Sequence, residues 1–313
     1  MPNGWGLSAL SLLILATLVS AAGGASAWGN GGYSANQSNP DYGTHDGIAE
    51  LALTITTKNV SFLKTNYRTQ FLLGTEAPDN PDFVGDTTLH HVYYYSTGTL
   101  QDDKSAARAR TVYSQALADL KASDLSGAAF LIGEMSHYVA DVGVFGHTMA
   151  DSTDWGAEVH HSDYEKWFDG MIKDHVVPNG YVSNPKGAYE ATLLLANSIT
   201  FGDGAVKPNV WMDENYNWAD TAGFVPSALR SLDLSIQAVA SVIDNLVAEA
   251  AYNPPANPDP PSDPVQPPDS TIPPEDIPEA RDSSLSNAII VTLTTVAVLA
   301  VSGILLVAVR KKK

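Results

Sequence analysis

The sequence contains no cysteine, so the protein has neither disulfides nor thiolate metal ligands. A metal ion would have to be bound by His, Asp, Glu or backbone groups. Basic residues are also few, with 17 Lys and Arg against 35 Asp and Glu in 313 residues. The formal charge is −18, and because four basic residues end the chain, residues 28–280 carry −22. This acidity argues against nucleic acid as a partner, since phosphate backbones are bound chiefly through Lys and Arg.

Two segments lack charged side chains. Residues 1–27 are largely apolar and end in Ala25-Ser26-Ala27, a small-x-small pattern that predicts a signal peptide cleaved after Ala27; an uncleaved anchor is the alternative. Residues 283–309 are also uncharged and precede four basic residues at 310–313. This pattern predicts a transmembrane helix with a cytoplasmic basic tail, because basic residues favour the cytoplasmic side. We therefore expect a single-pass protein of the cell membrane whose main body is extracellular.

Proline is concentrated before the predicted membrane helix. Residues 253–280 hold eleven of the nineteen prolines and six acidic residues. Such a composition buries too little apolar surface to offset the entropy of ordering. We predict a disordered stalk over residues 253–282, which leaves residues 28–252 as the globular domain.

The globular domain shows helical periodicity and few strand signals. Thr44 is a predicted helix cap, and Asp124 or Ser126 is predicted to begin a later helix. Further helices are predicted over residues 105–121, 128–142, 161–173, 188–200 and 226–250. The expected fold class is all-α, a single domain of about seven to ten helices.

The eight histidines carry the main functional signal, because most lie close to acidic residues or to one another. His137 and Asp141 are four residues apart, as are His161 and Glu165, so each pair occupies one face of a helix. His147 follows a break at Gly143 and can turn back toward the first pair. Such a pair alone is more often a surface ion pair, but here it occurs twice.

The surrounding sequence strengthens a zinc interpretation. His90 and His91 are adjacent, and an acidic loop runs from Glu76 through Asp79 to Asp82. Nitrogen and oxygen ligands without thiolate are typical of catalytic zinc sites, which keep one position open for water. Zinc lowers the pKa of that water toward about 7 and neutralises phosphate charge. The sequence therefore predicts a zinc hydrolase.

The spacing of these residues resembles that of the bacterial zinc-dependent phospholipase C family, which includes the catalytic domain of clostridial alpha-toxin. The motifs run from Trp28 to Asp169, and the later helices are similar only in general character. The resemblance implies an all-helical domain, three zinc ions, phospholipid or another phosphodiester as substrate, and a mature N-terminal tryptophan as a ligand. Cleavage after Ala27 would make Trp28 that residue.

Carried over to this sequence, the resemblance implies that Trp28 and His45 bind one zinc and that Asp141 bridges it to a second. It further implies that the second zinc is bound by Asp79, His91 and His137. The third zinc would be bound by His147, His161 and Glu165. Asp79 is also implied as the general base, and the resulting hypothesis is attack of zinc-bound hydroxide on phosphorus.

Three of these assignments have alternatives at nearby positions: His90 for His91, His160 for His161 and Asp82 for Asp79. Glu134 lies near the His137–Asp141 face and is interpreted as solvated, with orientation of a ligand as the alternative. Alternative functions are phospholipase D-like cleavage, nuclease or nucleotidase activity on the same three zinc ions, and a non-enzymatic surface protein stabilised by zinc. The −22 charge of residues 28–280 disfavours a nuclease.

Overall fold

The computed structural model describes residues 42–178, 180–216 and 222–252. All of them belong to one of the two units into which the chain divides, Met1–Pro268. The predicted signal peptide, Trp28, the stalk, the membrane helix and the basic tail lie outside the described residues.

The described part of the chain is mostly helical, as the sequence predicted. Its nine α-helices are α1 Thr44–Ile55, α2 Ser61–Lys64, α3 Arg68–Glu76, α4 Lys104–Ala122, α5 Leu125–Asp141, α6 His161–Asp169, α7 Ala188–Phe201, α8 Asn209–Glu214 and α9 Phe224–Glu249. Three 3₁₀ helices lie between them, at Ala77–Asp79, Phe145–Thr148 and Ile172–Asp174. A small antiparallel hairpin, β1 Tyr93–Tyr94 and β2 Leu100–Asp102, was not predicted.

Helix α5 lies at the centre of the domain, packed most extensively against α3 and α4. Two glycines allow the close approach of α3. A Cβ at Gly133 would lie 2.0 Å from the carbonyl oxygen of Phe71, and a Cβ at Gly74 would lie 2.0 Å from that of Phe130. Each distance is far inside van der Waals contact, so these positions require glycine.

The ends of the helices follow local sequence signals. Asp124 precedes α5 and its side chain accepts a hydrogen bond from the N–H of Gly127 (3.0 Å), as a helix cap does. Thr44 is not the cap of α1, because Asp46 accepts from the N–H of Gly43 and the hydroxyl of Thr44 donates to Asp169. The helix predicted over residues 161–173 ends at Asp169.

The C-terminal helix α9 packs against α1, α5 and α7. It is the one helix among the described residues that is long and apolar enough to cross a membrane, and 72% of its most apolar window is buried inside the domain. Such burial is typical of the core helix of a globular domain.

Candidate metal centre

Eight histidine and acidic side chains converge between α1, α5, α6 and the loops beside them. They form three groups of potential metal ligands, in each of which one ligand atom per residue lies within 4.8 Å of the others. The groups are His45 with His137 and Asp141; Asp79 with His90 and His137; and His147 with His161 and Glu165. Because His137 occurs in two groups, the first and second groups are contiguous.

Asp141 lies at the centre of this cluster, at the C-terminal end of α5. Its Oδ1 atom is 3.1 Å from Nε2 of His45 and 3.8 Å from Nε2 of His147. Its Oδ2 atom is 2.7 Å from Nδ1 of His90 and 3.1 Å from Nε2 of His137. The two carboxylate oxygens therefore face different pairs of imidazoles, as expected of a carboxylate that bridges two ions.

The third group is built on helix α6 and the 3₁₀ helix at Phe145–Thr148. Nε2 of His161 is 2.7 Å from Oε1 of Glu165 and 3.3 Å from Nε2 of His147. Gly146 lets His147 and His161 meet, since a Cβ there would lie 2.5 Å from the His161 ring. On the other side of that ring, Nδ1 is 3.4 Å from Oε1 of Glu158, a residue that the sequence analysis did not identify. A carboxylate in this position orients a metal-binding imidazole.

The cluster contains buried acceptors that its protein neighbours do not satisfy. Among the described residues, none of the four carboxylate oxygens of Asp141 and Glu165 receives a hydrogen bond of good geometry, although all four are buried. Buried polar atoms in native proteins nearly always have a partner. Imidazole nitrogens and carboxylate oxygens that face one another are the donor set that zinc prefers in cysteine-free sites, so these residues fit a metal ion.

The electrostatics of the cluster also fit a cation. Burial lowers the pKa of His45 and, well below its usual range, that of His147, so both rings stay neutral. Burial opposes charging of the other rings too, but nearby carboxylates raise the pKa of His137 to about 9 and that of His161 to about 10. Burial alone would raise the pKa of Asp141, yet the surrounding imidazoles hold it well below its usual range. Without a metal ion the imidazoles of His137 and His161 are therefore protonated, and a zinc ion would replace their positive charge.

Of the nine residues predicted from the sequence, seven are brought together, Trp28 lies outside the described residues, and His91 is separate. Nε2 of His91 is 3.3 Å from Oδ2 of Asp102, and its ring stacks on Tyr93 at 4.2 Å. His90 occupies the position in the cluster for which His91 was chosen, so that choice is corrected.

The reason is the alternation of side chains along an extended chain. His90, Val92 and Tyr94 are buried, whereas His91 and Tyr93 lie on the opposite, more exposed side. Val92 is completely buried, and side chains two residues apart in an extended chain point to the same side. The apolar residue two positions after His90 was therefore a sequence signal that could have indicated which histidine lies in the cluster.

Burial and contacts also distinguish His161 from His160 and Asp79 from Asp82. His161 lies in the cluster, whereas His160 approaches Asp213 and stacks on Tyr216. Asp79 lies 3.6 Å from Nδ1 of His90, whereas Asp82 is exposed. Glu134 is buried, not solvated as the sequence suggested.

A cavity of about 330 Å³ opens beside the cluster. Its lining includes Asp79, His90, His147, Glu158 and His161. None of the described residues that line the cavity is Lys or Arg. Apart from imidazoles, the described lining therefore offers no side chain that could carry positive charge toward an anionic group. Together, the helical fold and this cluster define a helical protein with a candidate multinuclear metal centre.

Comparison with known proteins identifies the family. A family model described as zinc dependent phospholipase C matches residues 44–208, more than half of the chain, and includes all eight clustered residues. The chain therefore belongs to the zinc-dependent phospholipase C family. Among the solved structures that match is an alpha toxin from Clostridium absonum, with a TM-score of 0.49 and 15% sequence identity. The match covers 68% of this chain and 66% of the toxin chain, just under two thirds of its length. No curated protein sequence matches.

Proposed function

We propose that this protein hydrolyses the phosphodiester bond of phospholipids at a zinc centre formed by the eight clustered residues. The observation that carries the proposal is the convergence of three potential ligand groups beside a cavity whose described lining contains no Lys or Arg. When bound, zinc would lower the pKa of a water molecule and neutralise the phosphate charge. Phospholipid as the substrate, phosphorus as the point of attack and three as the number of ions are parts of this proposal.

The residues divide among three ions as follows. His45 and Asp141 would bind the first, together with the terminal amine of Trp28 that the family resemblance implies. Asp141 would also bind the second, with the group Asp79, His90 and His137. Nδ1 of His137 is 2.7 Å from the carbonyl oxygen of Thr75, so only Nε2 of that ring is available to a metal. His147, His161 and Glu165 would bind the third.

Asp79 is the proposed general base. It is the last residue of the 3₁₀ helix Ala77–Asp79, which follows α3. Its side chain lines the cavity, and 11% of the side-chain surface is exposed. Its carboxylate accepts a proton from the attacking water as the water oxygen bonds to phosphorus. The bond between phosphorus and the diacylglycerol oxygen then breaks, and the departing oxygen takes a proton from solvent.

The test compares Asp79→Asn with Asp82→Asn, an exposed acid three residues further along the same loop. We expect Asp79→Asn to lower kcat by at least about a hundredfold, the magnitude typical of a general base, and Asp82→Asn to keep the wild-type rate. The assay uses the full-length protein in detergent, with zinc content measured for each variant because Asp79 is also a candidate ligand.

The products separate the competing activities. Diacylglycerol and a phosphorylated head group indicate phospholipase C, whereas phosphatidate and the unphosphorylated head group indicate phospholipase D-like cleavage. Release of nucleotides from single-stranded nucleic acid would indicate a nuclease. Retained zinc with no hydrolysis of any phosphodiester would refute the enzymatic proposal, and N-terminal sequencing of the exported chain tests the place of Trp28.

A further inference from the structure

His90 differs from the other clustered imidazoles because neither a regular helix nor a strand positions it. It lies in the segment between the 3₁₀ helix Ala77–Asp79 and strand β1. Its Nδ1 faces Asp141 and Asp79, while Nε2 hydrogen-bonds the backbone carbonyl of Asp86. That carbonyl requires a proton on Nε2 and so leaves Nδ1 as the atom presented to a metal. The orientation of His90 therefore depends on the position of Asp86.

Asp86 is held by contacts of both its side chain and its backbone. The segment around it is largely exposed at Pro81, Asp82, Gly85 and Thr87. Oδ2 of Asp86 accepts a hydrogen bond from the hydroxyl of Tyr138 (3.1 Å) and lies 3.7 Å from Nε of Arg108. The backbone adds a hydrogen bond from the N–H of Asp86 to the carbonyl of Pro78, and the N–H groups of Val84 and Gly85 donate to the carbonyl of Ala77.

Arg108 connects this segment to the core of the domain. Its Nη2 donates to Oε1 of the buried Glu134 at 2.9 Å, and its Nε lies 3.4 Å from the hydroxyl of Tyr138. Arg108 is on α4, and both of these partners are on α5, the helix that also carries His137 and Asp141. The guanidinium thus pairs with two carboxylates at once, one in the rigid helix pair and one in the loop.

We propose that Arg108 is a positioning residue for the metal centre: it anchors Asp86, whose carbonyl orients His90 so that Nδ1 faces Asp79 and Asp141. This inference rests on the proposed zinc centre. It also gives the buried Glu134 a role, since Glu134 fixes the guanidinium that reaches the loop. A planar guanidinium can serve both carboxylates in a way that an ammonium cannot.

The test measures how tightly the full-length protein in detergent retains zinc, by competition with a chelator of graded concentration. Loss of an outer partner of a ligand typically weakens metal affinity about 10- to 100-fold, and we expect a loss in that range at one zinc for Arg108→Met. Arg110→Met is the matched control, because Arg110 is on the same helix and contacts Tyr189 on an exposed face. It should retain zinc as the wild type does, and Arg108→Lys should recover only part of the loss.

Two further measurements distinguish positioning from general destabilisation. In a His90→Ala background, Arg108→Met should weaken zinc retention no further, since it acts through His90. Tyr138→Phe, which removes only the hydroxyl that reaches Asp86, should weaken retention in the same direction and serves if Arg108→Met does not fold. Wild-type retention in Arg108→Met and Tyr138→Phe, or an undiminished effect in the His90→Ala background, would overturn the inference and leave the zinc proposal intact. Absence of zinc from the wild type would overturn both.

Discussion

Alanine substitution of His90 and of His91, one at a time, tests the metal centre at its most specific point. The two residues are adjacent, chemically identical and both line the cavity, yet only His90 lies in one of the ligand groups. Nδ1 of His90 is 2.7 Å from Asp141, in the cluster, whereas Nε2 of His91 is 3.3 Å from Asp102, outside it. We expect His90→Ala to lose zinc and His91→Ala to retain it.

The expected losses of zinc affinity in His90→Ala and in His91→Ala differ by about two orders of magnitude. Structural zinc sites bind with about 10–16 kcal/mol shared among four ligands, or roughly 3 kcal/mol for each ligand. Since 1.4 kcal/mol corresponds to about a factor of ten, removal of His90 should weaken zinc at the second position more than about a hundredfold. His91→Ala loses a partly exposed contact with Asp102, which contributes about 0–1 kcal/mol to stability, and the stacking of the ring on Tyr93. Neither contact involves a clustered residue.

The assay is zinc content per chain after dialysis against a chelator, read together with Tm. Wild-type protein and His91→Ala should retain the same number of ions, and His90→Ala should retain fewer. The opposite pattern, with zinc lost from His91→Ala and kept by His90→Ala, would refute the placement of His90 in the centre. Equal retention by all three proteins would exclude both histidines as ligands.

Three further predictions concern stability and protons. Gly133→Ala places a methyl group 2.0 Å from the Phe71 carbonyl and should lower the free energy of unfolding by about 1–3 kcal/mol or more in denaturant titrations. In the control Gly187→Ala the methyl group meets nothing within 4 Å, so the cost should be at most about 1 kcal/mol, from replacing the residue that caps α7. Because the pKa of His137 is raised to about 9 and that of His161 to about 10, zinc must displace protons at pH 7. Apparent zinc affinity should therefore rise as pH rises from 6 to 9. The proton release is measurable by calorimetry in buffers of different ionisation enthalpy. A pH-independent affinity would contradict this prediction. Chelation should lower Tm. Zinc added at about 100 times its Kd should restore about 2.7 kcal/mol of stability, and magnesium should not. An unchanged Tm on chelation would count against a bound metal.

Much of the helical architecture is legible in the sequence because it depends on local signals. The apolar periodicity of residues 128–142 and 226–250 predicted α5 and α9, and of the two predicted starts of α5, Asp124 and Ser126, the structure has Asp124 as the cap. Helices α2, α3 and α8 and the β1–β2 hairpin were not predicted, since segments of two to nine residues carry little periodicity. Thr44 was misjudged because its hydroxyl bonds Asp169, a partner 125 residues away.

The candidate site likewise has some residues whose placement follows from local sequence and others whose placement depends on tertiary packing. The four-residue spacing of His137 with Asp141 and of His161 with Glu165 determines, within one helix each, that both pairs share a face. For His90 the local signal is weaker, because alternation with the apolar Val92 indicates its side of the chain, but packing against α5 decides which side is covered. Arg108 carries no sequence signal, since its contacts to Asp86 and Glu134 span 22 and 26 residues and form only when α4, α5 and the loop pack together.

By itself, the sequence determined the helical class, the ligand chemistry without thiolate, and the two histidine–carboxylate pairs, because composition and helical periodicity act over a few residues. Only the tertiary structure decided that Asp141 faces four imidazoles, that His90 and not His91 joins them, and that Arg108 connects the loop to the core. These features depend on distances between segments that are far apart along the chain, and packing of the helices against α5 determines those distances.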